Sequence, residues 1–388
     1  MKIIHTSDLH LGHTLYGYDR TVEQAAMLAA IREAVETHSP DVLVISGDVY
    51  HTSQPSATVQ RMFAEAMVEL RRTAPSMEIV VTAGNHDSGA RHEVFREPWR
   101  ALGVHAVGAV DRDNPDSHII EIEGKGFVIA VPYAAPRNIP EDFFTRLTDI
   151  VAERNAGALP VVMMAHTAVA GSDFSGHDRA TELTVGGIDA VSLDTFGSGY
   201  DYLALGHIHC PQFVDGRGGR ARYSGSPLAV SFDEAYPHSL TLVELPARGA
   251  APVTSLIEVP VVRPLVSLPA REFAPWAEAR ALLSDFPDDI PAYIRLNVEV
   301  DDFLPAGARE EAESLCAGKE CRFCVINARR TAEASLSRAA MTVSEFRSAS
   351  PAEIARMYAA DTGLEFDDDL AAMFSEVIES VNEDSRQQ

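Results

Sequence analysis

Lys2-Ile3-Ile4-His5-Thr6-Ser7-Asp8-Leu9-His10 opens on a short isoleucine-rich run and stops on an aspartate and a histidine two residues apart. The run is short and has the composition of a buried strand. The i, i+2 spacing puts Asp8 and His10 on one side of an extended segment. The same figure recurs four times: Asp41 to Ser46 runs into Gly47-Asp48, Glu78 to Thr82 into Gly84-Asn85-His86-Asp87, Val161 to Ala165 into His166, and Tyr202 to Leu205 into Gly206-His207-Ile208-His209. In open α/β sheets the ligand site lies beyond the carboxyl ends of the strands. A lone histidine there is ordinarily a surface or hydrogen-bonded residue. Carboxylates, an amide and several imidazoles delivered together by five strand ends predict ligands for two divalent metal ions.

The mixture of donors narrows the metal. Mn, Fe and Zn accept nitrogen and oxygen together, whereas Ca and Mg favour oxygen alone. Two such ions about 3.5 to 4 Å apart suit a phosphoester, because they clamp the attacking and leaving oxygens of an in-line displacement and lower the pKa of a bound water.

The order Asp-x-His, Gly-Asp, Gly-Asn-His-Asp, His, Gly-His-x-His resembles the calcineurin-like metallophosphoesterase superfamily. Longer stretches, His5 to Gly12, Gly84 to Gly89, Tyr202 to His209 with Pro211-Gln212, and Tyr223-Ser224-Gly225-Ser226-Pro227, resemble within it the SbcD-like nuclease family, densely over roughly the first 235 residues. The resemblance implies an α/β fold, a β-sandwich flanked by helices. It implies one metal on Asp8, His10, Asp48 and His209 and a second on Asp48, Asn85, His166 and His207, with Asp48 bridging and Mn²⁺ the expected ion. It makes His86 the catalytic residue that helps protonate the leaving sugar oxygen, a task for a group titrating near neutrality. It also implies a path for nucleic acid near Tyr223 and Ser226.

Around these lie further candidates. His51, three residues after Asp48, either contacts the phosphate, orients a ligand or is an ordinary loop histidine. Asp87 and Arg91 either position His86 or a phosphate, or serve a local helix start. Cys210 follows ligand His209 and reads as a buried inert thiol. Cys316, Cys321 and Cys324 cluster, but a structural zinc site wants four ligands, so core cysteines are expected.

With 388 residues and 46% hydrophobic content the chain exceeds one compact domain. No apolar stretch reaches about 18 residues, so no membrane span is expected. A cleaved leader would remove Asp8, and four cysteines make no disulfide framework, which together point to a cytoplasmic protein. The net charge of −25 is carried in both halves of the chain and is unusual for a protein that holds phosphate backbones. A positive path would then need the metals, local arginines (Arg91, Arg96, Arg217, Arg220, Arg222) or a partner.

Residues 1–260 read as the nuclease domain, with helices over Val22 to Glu36 and Ala57 to Arg72. Residues 261–330 read as a small α/β cap with strands near Leu265, at Tyr293 to Val300 and at Arg322 to Asn327, and helices at Pro275 to Leu283 and Ala308 to Leu315. Residues 331–342 read as a linker and 343–388 as a helical pair, opened by Ser350-Pro351-Ala352-Glu353 and carrying an apolar stripe from Leu370 to Val381. The resemblance assigns that pair to docking an SbcC-like coiled-coil ATPase subunit, with two copies of this chain in a heterotetramer. No Gly-x-x-x-x-Gly-Lys-[Ser/Thr] motif occurs, so ATP use would belong to the partner. The expected activity is exonuclease on duplex DNA ends and endonuclease on single strands or hairpins, in repair, recombination and replication. The alternatives are a phosphoesterase for small phosphodiesters or phosphoproteins and a non-enzymatic metal-stabilised scaffold.

Overall fold

The computed structural model of the chain describes residues 1–175, 190–214 and 218–331. Arg217 and, apart from Thr331, the expected linker and helical pair lie outside the described residues.

Strands β1 (Lys2–Thr6), β2 (Val42–Ser46), β3 (Glu78–Thr82), β4 (Val104–Val107), β11 (Ser239–Glu244) and β12 (Val253–Glu258) form one sheet in the order β12-β11-β1-β2-β3-β4. β1 to β4 are parallel, and β11 and β12 close one side antiparallel. A second sheet holds β5 (Ile119–Ile122), β6 (Gly126–Ala130), β7 (Val161–His166), β8 (Tyr202–Gly206), β9 (Gln212–Phe213) and β10 (Ala221–Tyr223) in the order β5-β6-β7-β8-β10-β9.

Alternation along the strands makes a four-layer sandwich. Ile3, Val42, Val44 and Val80 face inward and meet Val128, Val162, Met164 and Tyr202 of the second sheet. Their neighbours Ile4, Leu43, Ile45 and Val81 face outward under α1 (Thr21–His38) and α2 (Ala57–Thr73). α1 buries Met27, Leu28, Ile31, Ala34 and Val35, one helical face, and stops where Ser39 turns left-handed at φ 47°. α2 starts at Ser56, whose hydroxyl accepts from Val59 N, and buries Phe63, Met67 and Leu70. Each of those three contributes about 1.5–3 kcal/mol on burial. Two short helices, α3 (Gly89–Val94) and α4 (Arg96–Arg100), follow β3. On the other face α5 (Phe143–Arg154) covers β6 and β7 through Phe143, Phe144, Leu147 and Val151.

A third sheet comprises β13 (Leu265–Leu268), β14 (Ala274–Pro275), β15 (Tyr293–Val300) and β16 (Arg322–Arg330), with helices α6 (Trp276–Ser284) and α7 (Ala308–Cys316). Met1–Val298 and Pro305–Asn327 make one compact unit. Glu299–Leu304 and Ala328–Gln388 fall to a second, described over residues 299–304 and 328–331. Within the first unit the Tyr18 hydroxyl donates to Phe323 O at 2.9 Å and the Tyr293 hydroxyl to Glu23 Oε1 at 3.0 Å. Leu15 and Phe232 pack with Tyr293 and Cys324. The third sheet is thereby anchored to the loops that leave β1 and precede β11.

Candidate metal centre

The carboxyl ends of β1, β2 and β3 from one sheet meet those of β7 and β8 from the other. Short loops there hold the ligand residues in backbone states that ordinary strands avoid. Asp8, His10, Asp48 and His207 have φ of 54°, 44°, 51° and 97°. Such left-handed residues are costly outside glycine and collect at functional sites. Glycine has a separate task here. A Cβ on Gly84 would collide with the Asp48 carboxylate, and one on Gly206 with Ser46 O, so these two let neighbouring ligand loops touch.

The donor atoms converge. His10 Nε2 lies 3.1 Å from His209 Nε2 and 3.7 Å from Asp48 Oδ2. On the other side His166 Nε2 lies 3.4 Å from the same Asp48 oxygen and 3.0 Å from Asn85 Oδ1, which is 3.0 Å from His207 Nδ1. Ligand atoms around one ion bonded at about 2.1 Å sit roughly 3 Å apart, so the spacing fits two adjoining ions. Asp8 groups with His10 and His209, and also with Asp48 and His166. The site is buried except at Asn85, which is exposed, and at His86 and His207, which are half-buried. That side is the entrance.

Asp48 Oδ1 accepts the backbone N–H of His86 at 2.9 Å, which leaves Oδ2 alone facing both ligand sets. A bridge here runs through one oxygen. Asp8 accepts the Ser7 hydroxyl at 2.5 Å and the His207 N–H at 3.1 and 3.2 Å. The Ser7 hydroxyl is in turn 2.9 Å from that of Ser224, in the Tyr-Ser-Gly-Ser-Pro turn. His166 turns Nδ1 to Ser46 O at 2.8 Å, and His209 turns Nδ1 to Glu234 Oε1 at 2.9 Å, so each aims Nε2 inward.

Burial disfavours charge throughout this cluster, and the ion pairs decide the outcome. At Asp8 burial prevails and raises the carboxyl above its ordinary value, against the pull of His166 and His209. At Asp48 the opposing pull of His166, His10 and His86 holds the carboxyl well below its ordinary value. Burial lowers His10 well below its ordinary value. Burial also opposes charge on His166 and His209, but Asp48 beside the first and Glu234 beside the second raise each to about 9.

His86 stands next to these donors. Its Nδ1 is 2.9 Å from His51 O, and a carbonyl only accepts, so Nδ1 carries a hydrogen and Nε2 is the atom that gains or loses a proton. His51 stacks on it at 5.5 Å, and His10 meets it edge-on at 4.9 Å. His51 is thus beside the expected catalytic residue.

Other expectations need correcting. Asp87 does not face the entrance. Its two oxygens accept from Val49 N, Tyr50 N and Gly84 N at 3.1, 2.9 and 2.9 Å, clamping the loop of Asp48 to the loop of Asn85. Arg91 reaches Gln60 of α2 at 3.3 Å and lines a hollow with Tyr50, Phe63 and Trp99. Tyr223 is fully buried, its hydroxyl donating to Thr167 O at 2.8 Å and accepting from Val169 N at 2.9 Å. Ser226 is buried too and donates to Glu234 Oε2 at 3.0 Å. Neither side chain reaches a nucleic-acid path. Nor do the local arginines form one: Arg96 is held by Glu93 and Ser117 O, Arg220 by Asp201 and Gly249 O, and Arg222 is buried against Thr241 and Phe213. Cys210 is half-buried, and burial raises its thiol above the ordinary value. Cys316, Cys321 and Cys324 are buried free thiols, the first and last pushed up by burial to about 12.

Glu234 is the site residue that sequence reasoning missed. It lies in Ser231-Phe232-Asp233-Glu234, a segment with no motif spacing to His209, and only the fold brings the two together.

The calcineurin-like phosphoesterase family profile matches residues 1–211. The chain is 36% identical over 311 residues to SbcD, the partner of SbcC in the nuclease SbcCD, of Rhodobacter capsulatus, covering 73% of this chain and 75% of that one. It is 28% identical over 334 residues to the SbcD protein of Escherichia coli strain K12, covering 78% and 79%. With the SbcD protein of Bacillus subtilis it shares 32% over 264 residues, covering 63% and 66%. Five strand-end loops that gather two carboxylates, an amide and four imidazoles thus coincide with the matched region, and the chain belongs to the calcineurin-like phosphoesterase family, among the relatives of the SbcD proteins of SbcCD nucleases.

Proposed function

We propose that this chain is the metal-dependent DNA nuclease subunit of an SbcCD-like assembly, acting as exonuclease on duplex ends and as endonuclease on single strands and hairpins. The observation that carries the reading is the convergence of seven donor residues around Asp48 Oδ2 with His86 at the entrance. The relatives' names supply the polymer substrate. Asp8, His10, Asp48 and His209 would hold one ion and Asp48, Asn85, His166 and His207 the other, with Mn²⁺ suited to the mixed donors. Bound there, the ions would supply Lewis acidity and positive charge at the phosphate. His86 uses Nε2 to deliver a proton to the leaving sugar oxygen, and its Nδ1–H stays on His51 O. His51 keeps that ring in place by stacking.

The same reading takes residues 1–260 as the nuclease domain, 261–330 as its cap, 331–342 as a linker and 343–388 as the dock for an SbcC-like ATPase, in a cytoplasmic heterotetramer. No described helix is long and apolar enough to cross a membrane. Val94, Phe95 and Leu102 are exposed on and beside α3 and α4, which supports self-association through that face. A chain ending at Ala340 should lose the ATPase partner while keeping its own metal sites, and unchanged partner binding would remove the docking assignment.

A phosphoesterase for small phosphodiesters or phosphoproteins is the second reading. It is favoured by the internal engagement of Arg96, Arg220 and Arg222. An assay with Mn²⁺ on hairpin DNA, blunt duplex and a small aryl phosphodiester, with wild type and His86→Ala, separates the two. DNA cleavage lost in the variant with metal binding retained supports the nuclease. Turnover of the small ester alone rejects it, and full activity in His86→Ala rejects the role of His86.

A further inference from the structure

The two metal positions are backed by different chemistry. Behind the second, His166 Nδ1 meets a neutral backbone carbonyl, Ser46 O, at 2.8 Å. Behind the first, His209 Nδ1 meets a carboxylate, Glu234 Oε1, at 2.9 Å. The Glu234 side chain has no solvent exposure. Its remaining lone pairs are used: Oε1 accepts Val230 N at 3.3 Å, Oε2 accepts the Ser226 hydroxyl at 3.0 Å, and His238 Nε2 stands 3.8 Å away. His238 is itself fixed by donating Nδ1–H to Ser226 O at 2.7 Å.

A carboxylate on Nδ1 fixes the ring's orientation, keeps a hydrogen on that nitrogen and leaves the Nε2 lone pair facing His10 Nε2 and Asp48. It also makes the ring a stronger electron donor than a carbonyl partner does, because a full negative charge stabilises the positive charge that builds on a coordinating imidazole. Burying a carboxylate contributes little to stability by itself, so a buried acid aimed at one ligand calls for a role at that ligand.

We propose that Glu234 is a positioning residue that makes the His209 metal position the tighter of the two. The inference rests on the two-metal reading of the site. The Tyr-Ser-Gly-Ser-Pro turn thereby gains a purpose, since Ser226 holds the acid and Ser224 holds Ser7 against Asp8, both on the same metal position.

The test uses the full-length chain stripped of metal and titrated with Mn²⁺, followed by calorimetry and electron paramagnetic resonance. Wild type should bind two ions with separable affinities. Glu234→Gln keeps size and a hydrogen-bond acceptor but removes the charge. It should weaken the tighter site about 10–100-fold and leave the weaker site and the metal-free melting temperature unchanged. Ser226→Ala should move the same site by a smaller factor. Glu93→Gln removes a carboxylate that binds Gly108 N elsewhere and should move neither. Unaltered affinities in Glu234→Gln overturn the proposal while the two-metal reading stands. Equal loss at both sites, or the same loss in Glu93→Gln, reduces Glu234 to a general structural role and also overturns it. A wild-type chain that binds no metal overturns the two-metal reading and this proposal with it.

Discussion

Asp48 serves two ligand sets with one oxygen because the His86 amide occupies the other. The catalytic candidate and the bridging candidate are therefore tied through the backbone. The imidazoles around them carry a measurable consequence. His166 and His209 titrate near 9 in the metal-free site, where burial is overcome by Asp48 and Glu234 respectively. Below that pH each holds a proton that a metal must displace, so binding releases about two protons and weakens as pH falls, by about tenfold per proton per pH unit. Calorimetric titration of Mn²⁺ in buffers of different ionisation enthalpy reads the proton count. Uptake of protons, or a count near zero at pH 7, would contradict the assignment. These ligands were legible in the sequence because each sits at the end of its own strand and the types agree. Glu234 was not, since nothing local marks an acid whose partner is 25 residues away in the chain.

At the scale of elements, the strand β10 and the turn after it show how a motif can be noticed and misread. The glycine and proline of Tyr-Ser-Gly-Ser-Pro predict a turn, but a turn signature says nothing about which way its side chains point. Tyr223 points into the core beneath β7, where its hydroxyl joins Thr167 O to Val169 N just past His166. Tyr223→Phe leaves both groups buried without a partner and should cost about 1–3 kcal/mol in denaturant unfolding. DNA affinity should be unchanged, and a selective loss of DNA binding at full stability would restore the path reading. The strand β15 makes a second test. Arg295 pairs with Asp233 at 2.6 Å, donates to Phe232 O at 3.3 Å and lies over the Phe232 ring, gripping the segment that ends in Glu234. Arg295→Ala should therefore weaken Mn²⁺ binding at the His209 position by severalfold although it touches no ligand. Metal affinities equal to wild type would show that the third sheet does not support the site. The periodicity of α1, α2, α6 and α7 was legible to within two residues, because one apolar face suffices to mark a helix. β9 and β14 were not, being two-residue strands that exist only through their neighbours.

At the scale of the whole molecule the question is how a chain of net charge −25 holds a polyanion. Each phosphate neutralised by lysine or arginine releases counterions and adds about −0.9 to the slope of log affinity against log salt for duplex DNA. Arg96, Arg220 and Arg222 have internal partners, so in the described residues this local set adds little to that term. What remains is the ligand cluster, whose ions would attract phosphate at a single point, and whatever a partner brings. The isolated chain should therefore bind duplex DNA weakly, with a slope corresponding to at most about two or three phosphates. Most of that binding should vanish in EDTA, and adding the ATPase partner should steepen the slope. The measurement is a salt titration of DNA affinity by anisotropy, with and without Mn²⁺ and with and without the partner. A steep slope in the isolated chain that survives EDTA would mean that this chain carries its own basic track, and the partner would no longer be needed to explain how DNA is held.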